Sequence, residues 1–234
     1  MSKKVMVITG TRKGIGKYLA ERYIKRDWYV IGCSRKKPEW HYEGYRHECF
    51  DVADEKDVCE FFAGLRKKEG RLDAVINNAG IASMNHALLT PKTTLENIFT
   101  TNVFGTFLFC RESVKLMKGD SLKRIINFST IATPLRLEGE AVYSASKAAI
   151  ENLTQVLARE CSDMGIRINA IGPTPVQTDL VKNVPQAKIE ALLNRQAIRR
   201  WGEMEDIANV LDFFLLPESE FITGQIIYLG GVSS

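Results

Sequence analysis

Lys4-Val5-Met6-Val7-Ile8-Thr9-Gly10-Thr11-Arg12-Lys13-Gly14-Ile15-Gly16 is the stretch on which the fold turns. Lys4 to Thr9 is a short apolar run that reads as a buried strand. Ile15, Leu19, Tyr23 and Ile24 then recur at helical spacing as far as about Asp27. Between them lies a glycine-rich turn of the form G-x-x-x-G-x-G, not the G-x-G-x-x-G of the usual dinucleotide fingerprint. A strand, a glycine turn and a helix N-terminus together form a phosphate cradle, because free backbone N–H groups and the positive end of the helix dipole meet the anion.

Trp28 to Cys33 is a second strand and ends in Ser34-Arg35-Lys36-Lys37. In dinucleotide sites an acidic residue at this place holds the ribose 2′-OH, whereas an Arg accommodates a 2′-phosphate. No carboxylate stands there, and Ser34 and Arg35 do, with Arg12 and Lys13 in the facing glycine loop. A guanidinium binds phosphate through two parallel hydrogen bonds, so NADP(H) is expected rather than NAD(H).

Farther along, Tyr143-Ser144-Ala145-Ser146-Lys147 places a phenol and an amine one helical turn apart on the same face. An ammonium there favours the phenolate and is expected to draw the Tyr pKa down from its reference of about 10. The Tyr is then usable as a general acid/base near neutral pH. Y-x-x-x-K alone is common, and it gains meaning only from its company.

Alternation of strand and helix continues without linker, repeat or low-complexity segment. A third strand is expected at about Tyr45 to Phe50, a polar helix at Asp54 to Glu69, and a strand at Leu72 to Asn77. Two helical stretches (about Thr94 to Thr101 and Val103 to Lys118) precede a strand at Lys123 to Ser129. A long helix from Glu140 to Met164, a strand at Ile166 to Ile171, a helix at Glu205 to Leu216 and a last strand at Gln225 to Leu229 complete the pattern. Right-handed crossovers give one α/β domain over 1–234: a Rossmann-type, doubly wound parallel sheet of about seven strands with helices on both faces. Residues 1–100 are mainly its cofactor half and 101–234 its catalytic and substrate half. Ligands bind outside the carboxyl ends of such strands, where Gly10, Ser34, Asn77, Thr130 and Pro173 are expected to converge.

These motifs, taken in order, resemble the short-chain dehydrogenase/reductase family over nearly the whole chain. Thr9 to Gly16 is similar to its TGxxxGIG loop, with Gly10, Gly14, Ile15 and Gly16 at the matching places. Asp51-Val52 resembles its adenine-contacting pair, and Asn77-Asn78-Ala79-Gly80 its NNAG. Asn102 matches its catalytic Asn, and Tyr143 and Lys147 its YxxxK. Ile168 to Pro173 resembles the strand before the substrate loop, with Val176 beyond it, and Thr178 the Thr that contacts the nicotinamide carboxamide or phosphates. Arg200-Trp201-Gly202, Ile222 to Gln225 and Gly230-Gly231 match its C-terminal signatures. The pattern most resembles the 3-oxoacyl-carrier-protein reductase-like members.

Two places depart from the family pattern. Its catalytic Ser lies thirteen residues before the Tyr, which is Thr130 here, directly after Ser129. Thr offers the same hydroxyl with an added methyl, and Ser129 should face the opposite side of the strand end. Pro173-Thr174-Pro175 stands where the family has Pro-Gly, so the loop over the nicotinamide is expected to be shaped differently.

The resemblance implies a mechanism in which Thr130 and Tyr143 hold a substrate carbonyl and Tyr143 protonates it as nicotinamide delivers hydride. Lys147 binds the nicotinamide ribose, and Asn102 anchors a water that resupplies the proton. A 3-oxoacyl thioester is the leading substrate, with a small ketone, steroid or sugar-like carbonyl as the alternative. A catalytically silenced NADP(H)-binding sensor is the reading from another class, against which the retention of Asn102, Tyr143 and Lys147 argues. A lid is expected over about 178–200 on an amphipathic helix carrying Ile189, Leu192 and Leu193. Ile81, Ile131, Pro134, Leu135 and Val176 are expected to wall the pocket, with Arg136 near an acidic substrate group.

The whole-chain properties agree. A chain of 234 residues with net charge +4 suits one α/β domain, and its scattered basic residues argue against a nucleic-acid partner. No apolar run approaches a membrane span, and Met1 to Val5 leads directly into the first strand, without a signal peptide. Five cysteines without a C-x-x-C suggest a reducing cytoplasm, with Cys33 and Cys110 as small core residues. His41, His47 and His86 lack metal-ligand spacing and are read as bland, so no metal is expected. By analogy the chain forms a homotetramer or homodimer, with Phe104, Phe107, Leu108 and Leu116 candidates for that surface.

Overall fold

The structure, a computed structural model, describes residues 3–119, 122–182 and 184–232. Seven strands form one sheet in the order β3-β2-β1-β4-β5-β6-β7. They are β1 (Lys4–Thr9), β2 (Trp28–Ser34), β3 (Tyr45–Cys49), β4 (Ala74–Asn77), β5 (Arg124–Phe128), β6 (Arg167–Gly172) and β7 (Ile226–Tyr228). Every neighbouring pair is parallel. β4 and β5 are buried along their full length, as expected of strands covered on both faces.

Successive β1 residues supply opposite cores. Val5 and Val7 join a cluster with Phe61, Phe62 and Phe109, under α2 (Glu55–Lys68), α4 (Gly105–Leu116) and α6 (Ala141–Glu160). Met6 and Ile8 join another with Leu19, Tyr23, Ile207, Leu211 and Phe214, under α1 (Gly14–Ile24) and α8 (Met204–Leu215). This is the period-2 alternation of a strand. Chain order reverses between β1 and β4, the topological switch point at which open α/β sheets bind ligands.

Several boundaries differ from expectation for local reasons. β4 begins at Ala74, not Leu72, because the buried carboxylate of Asp73 instead accepts hydrogen bonds from Val5 N and Arg71 Nε, each 2.8 Å. The two helices expected either side of Asn102 are continuous: α3 (Lys92–Phe99) passes through a π-helical segment, Thr100–Phe104, into α4. α6 stops at Glu160 and a 3₁₀ turn, Ser162–Met164, follows. A short α5 (Ala132–Leu135) was not anticipated, and α7 (Gln186–Leu193) occupies the middle of the expected lid segment. Among the described residues no helix is long and apolar enough to cross a membrane.

Candidate active site

Of the residues expected to converge at the strand ends, Thr130 and Pro173 line one cavity, whereas the buried Asn77 amide donates to Asn127 Oδ1 at 2.8 Å. Thr130, Tyr143 and Lys147 line a cavity of about 580 Å³ together with Ile15, Asn78, Gly80, Pro173, Val176 and Thr178. α6 carries both Tyr143 and Lys147, which are 9% and 5% exposed. The Lys147 ammonium lies 5.9 Å from the Tyr143 ring centroid and donates to the Phe128 carbonyl at 2.7 Å.

Electrostatics here differ from the expectation drawn from spacing. Tyr143 is raised, not lowered: burial is the largest cause, the Glu140 charge adds to it, and a hydrogen bond with Thr130 opposes both. Lys147 is pulled down to about 8 by the same burial, partly offset by Glu151. Enclosing a phenol and an amine disfavours the charged form of each, and at this depth that outweighs the attraction between them.

Ser129 and Thr130 both border the cavity just beyond β5, but their hydroxyls take different partners. Thr130 faces the cavity, and its Oγ1 also accepts from Ala132 N at 3.2 Å. Ser129 is 3% exposed and donates to Glu151 Oε1, and Tyr228 hydrogen-bonds the same carboxylate. Glu151 was overlooked in the sequence, although it stands four residues after Lys147 on the same helical face.

Asn102 sits in the π-helical segment behind the cavity, 1% exposed. Its Oδ1 accepts from Ile81 N at 2.9 Å, and its Nδ2 donates to Ile81 O and Ser146 Oγ, each at 3.0 Å. Single π turns inside α-helices recur at functional sites. Ile81 is thereby engaged through its backbone and does not line the cavity, nor do Pro134 and Leu135; Ile131 and Val176 do. Arg136 also lies outside: as the left-handed cap of α5 (φ 48°) it is turned to solvent and donates to Pro134 O at 3.3 Å. Leu137, Met84, Leu180 and Ile189 add to the apolar wall.

The glycine turn is shaped for a close approach. A Cβ on Gly16 would lie 2.4 Å from Gly10 O, which excludes any side chain there. Thr9 Oγ1 accepts from Asn78 N at 3.0 Å and Ala79 N at 2.8 Å, tying the β4 end to this turn. α2 is capped by Asp54 and α8 by a Glu203–Asp206 capping box, yet α1 has neither a side-chain cap nor an acidic residue in its first turn. Its first N–H groups and dipole are left for an anion.

At the β2 and β3 ends, Arg12, Lys13 and Arg35 are exposed, with Ser34 half-buried. Lys13 pairs with Asp179 beyond Thr178. Ser34 Oγ lies 3.0 Å from His47 Nε2, whose Nδ1 lies 2.7 Å from the Tyr45 hydroxyl. Tyr45 donates to Thr11 Oγ1 at 2.8 Å, and Trp40 covers Tyr45 at 4.3 Å between ring centroids. His47, read as bland from its spacing, therefore braces the end of β2. Asp51 Oδ1 accepts from Ala53 N at 3.0 Å, and Val52 is buried.

The Pro173-Thr174-Pro175 loop accommodates its Thr without left-handed backbone. Thr174, 6% exposed, donates to Gln196 Oε1, another residue the sequence did not single out. Gly230 beside it has φ +76°, a left-handed backbone that favours glycine.

An uncapped helix N-terminus at a closed glycine turn, a basic β2 end and a Tyr–Lys pair at the strand ends suit a dinucleotide by their donors. A family model described as enoyl-(acyl carrier protein) reductase matches residues 10–233. The chain belongs to the short-chain dehydrogenase/reductase family. It is similar to the 3-oxoacyl-[acyl-carrier-protein] reductase of Vibrio cholerae, at 26% identity over 97% of this chain and 96% of the relative. Among solved structures it resembles ElxO with NADP bound: TM-score 0.88, 31% identity, 98% of each chain. A short-chain dehydrogenase from Leptospira borgpetersenii with bound NAD+ has the same TM-score at 25% identity, covering 99% of this chain and 93% of that one. Members of this family at similar distance thus hold either nicotinamide cofactor, and the fold is common to both.

Proposed function

We propose that this chain is an NADP(H)-dependent carbonyl reductase that also runs the reverse oxidation of a secondary alcohol. The observation that carries the reading is the convergence of Thr130, Tyr143 and Lys147 on one cavity at the strand ends. NADPH, when bound, supplies hydride to the carbonyl carbon. Gly10, Gly14, Ile15 and Gly16 would hold its pyrophosphate, and Asn78, Ala79, Gly80, Pro173, Val176 and Thr178 its nicotinamide half. Asp51 and Val52 would meet the adenine, and Arg12, Lys13, Ser34 and Arg35 the 2′-phosphate. The absence of a carboxylate from Ser34 to Lys37 supports NADP(H) over NAD(H).

Thr130 and Tyr143 hydroxyls donate to the substrate carbonyl oxygen, and Tyr143 transfers its proton as negative charge develops there. Lys147 stabilises the phenolate left behind and orients the cofactor ribose. Asn102, held by Ile81 and Ser146, positions the π-helical segment where a water returns the proton through Lys147. Positioning and preorganised electrostatics supply most of the rate. The segment 178–200, with α7, acts as lid.

Kinship with proteins named 3-oxoacyl-[acyl-carrier-protein] reductase supports a 3-oxoacyl thioester as substrate. A smaller, polar carbonyl compound is the second reading, favoured by the charged Glu140 and Lys188 on the cavity wall. The exposed apolar side chains of Phe104, Phe107 and Val156, around one groove, support a homodimer or homotetramer. Free cysteines at 33, 49, 59, 110 and 161 support a reducing cytoplasm. Turnover of NADPH and NADH with acetoacetyl thioester, simple ketones and hydroxy ketones tests the reading. NADPH consumption with at least one is expected, and binding without turnover of any would overturn it.

A further inference from the structure

Glu140 stands at the N-cap position of α6, yet its side chain caps nothing. It is 9% exposed, and its Oε2 is buried without a hydrogen-bond partner. It lines the same cavity as Tyr143, one helical turn away. Burying a carboxyl with an unmet acceptor is unfavourable unless something else satisfies it. The neighbouring Lys188 comes from the lid helix: its Nζ lies 3.5 Å from where a Cβ on Gly139 would stand, and its charge is felt by Glu140. An acceptor and a cationic donor therefore both line the cavity that Thr130 and Tyr143 line.

We infer that Glu140 and Lys188 form a recognition subsite for a hydroxyl group one or two carbons from the substrate carbonyl, so that hydroxy ketones and hydroxy aldehydes are preferred over their deoxy counterparts. A hydroxyl both donates and accepts, matching a carboxylate oxygen and an ammonium at once. An amine satisfies the carboxylate but meets like charge at Lys188, and an unsubstituted alkyl chain offers the carboxylate no donor. Sites that hydrogen-bond a substrate hydroxyl discriminate strongly against the analogue lacking it, since the protein group is then left buried and bare. The spacing of Glu140 from Tyr143 sets the reach: a group that contacts both places its hydroxyl near, not far along, the chain from the carbonyl.

This inference rests on the reductase reading, and the experiment separates the two. kcat/KM is measured with NADPH for 2-butanone, 3-hydroxy-2-butanone and 4-hydroxy-2-butanone. Binding of the same ketones to the NADP+-loaded chain is followed by saturation-transfer NMR. The parent should favour at least one hydroxy ketone about tenfold or more. Glu140→Leu should bring that ratio close to one, and Glu140→Gln, which keeps an acceptor oxygen, should leave it between. Because Glu140 also bears on Tyr143, only the ratio counts: a shift common to all ketones cancels in it. Loss of NADPH consumption with every ketone, alongside hydroxyl-selective binding that Glu140→Leu abolishes, supports the subsite while overturning the reductase reading. No preference for either hydroxy ketone in the parent, or a preference that survives Glu140→Leu, overturns the subsite.

Discussion

The Lys147 ammonium faces the Tyr143 ring at 5.9 Å from its centroid while donating at 2.7 Å to the Phe128 carbonyl at the end of β5. One contact fixes the amine to the sheet, and the other places its charge beside the phenol. A cation so held stabilises a phenolate that forms during proton transfer more than it alters the resting phenol, which burial keeps protonated.

The pH profile follows from Lys147. With its pKa pulled down to about 8, the cationic form is lost as pH rises through that value. Reduction uses the cation, so kcat/KM for carbonyl reduction should fall across pH 8. Lys147→Arg, which stays charged, should remove that limb whatever its absolute rate. A parent rate that climbs through pH 8 contradicts the assignment.

Glu140 gives a stability signature of opposite origin. Its carboxyl is raised to about 6 by burial, so the folded chain binds this proton more tightly than the unfolded one. Its contribution is therefore intact below the ordinary carboxylate range of about 4.3 and is lost as pH rises to about 6. Glu140→Gln should melt about 2–4 °C higher than the parent at pH 7, and the difference should shrink towards pH 4. A variant that melts lower at pH 7 would show that the carboxylate is satisfied by partners of its own.

Cofactor choice is testable at the β2 end. Lys13 and Asp179 are 55% and 61% exposed, so their pairing adds little stability and Lys13 can be replaced without harm to the fold. Arg35→Asp with Lys13→Ala should lower the NADPH-to-NADH ratio of kcat/KM by at least about 10- to 100-fold, since each lost charge-assisted hydrogen bond alone is worth that much. An unchanged ratio removes the phosphate-clamp argument.

Phe104 and Phe107 are 56% and 41% exposed beside Val156 at 43%. Light scattering after size exclusion should give a dimer or tetramer for the parent and smaller species for Phe104→Glu with Phe107→Glu. A monomeric parent would leave these side chains without the proposed cover.

Much of this was legible in the chain because parallel strands buried on both faces must be apolar throughout, and the glycine turn has few other uses. The seven strands, their order of appearance and the meeting of Thr130 and Pro173 at the strand ends follow from such patterns. Element ends were less legible, since Asp73 and the π-helical segment at Asn102 depend on partners remote in sequence. The same is true of Glu140, Glu151 and Gln196: the fold buries the first and last and sets Glu151 against Ser129. Tyr143 shifts opposite to what its spacing from Lys147 implies, because spacing reveals a nearby charge but not the depth at which it acts.

Tyr143→Phe tests the central claim most directly. The phenylalanine keeps the ring under Lys147 and removes only the hydroxyl, so NADPH binding measured by fluorescence should persist. Substrate-dependent NADPH oxidation should fall about 10²- to 10⁴-fold, the range for loss of a positioned general acid. A variant that oxidises NADPH with substrate as fast as the parent would contradict the account.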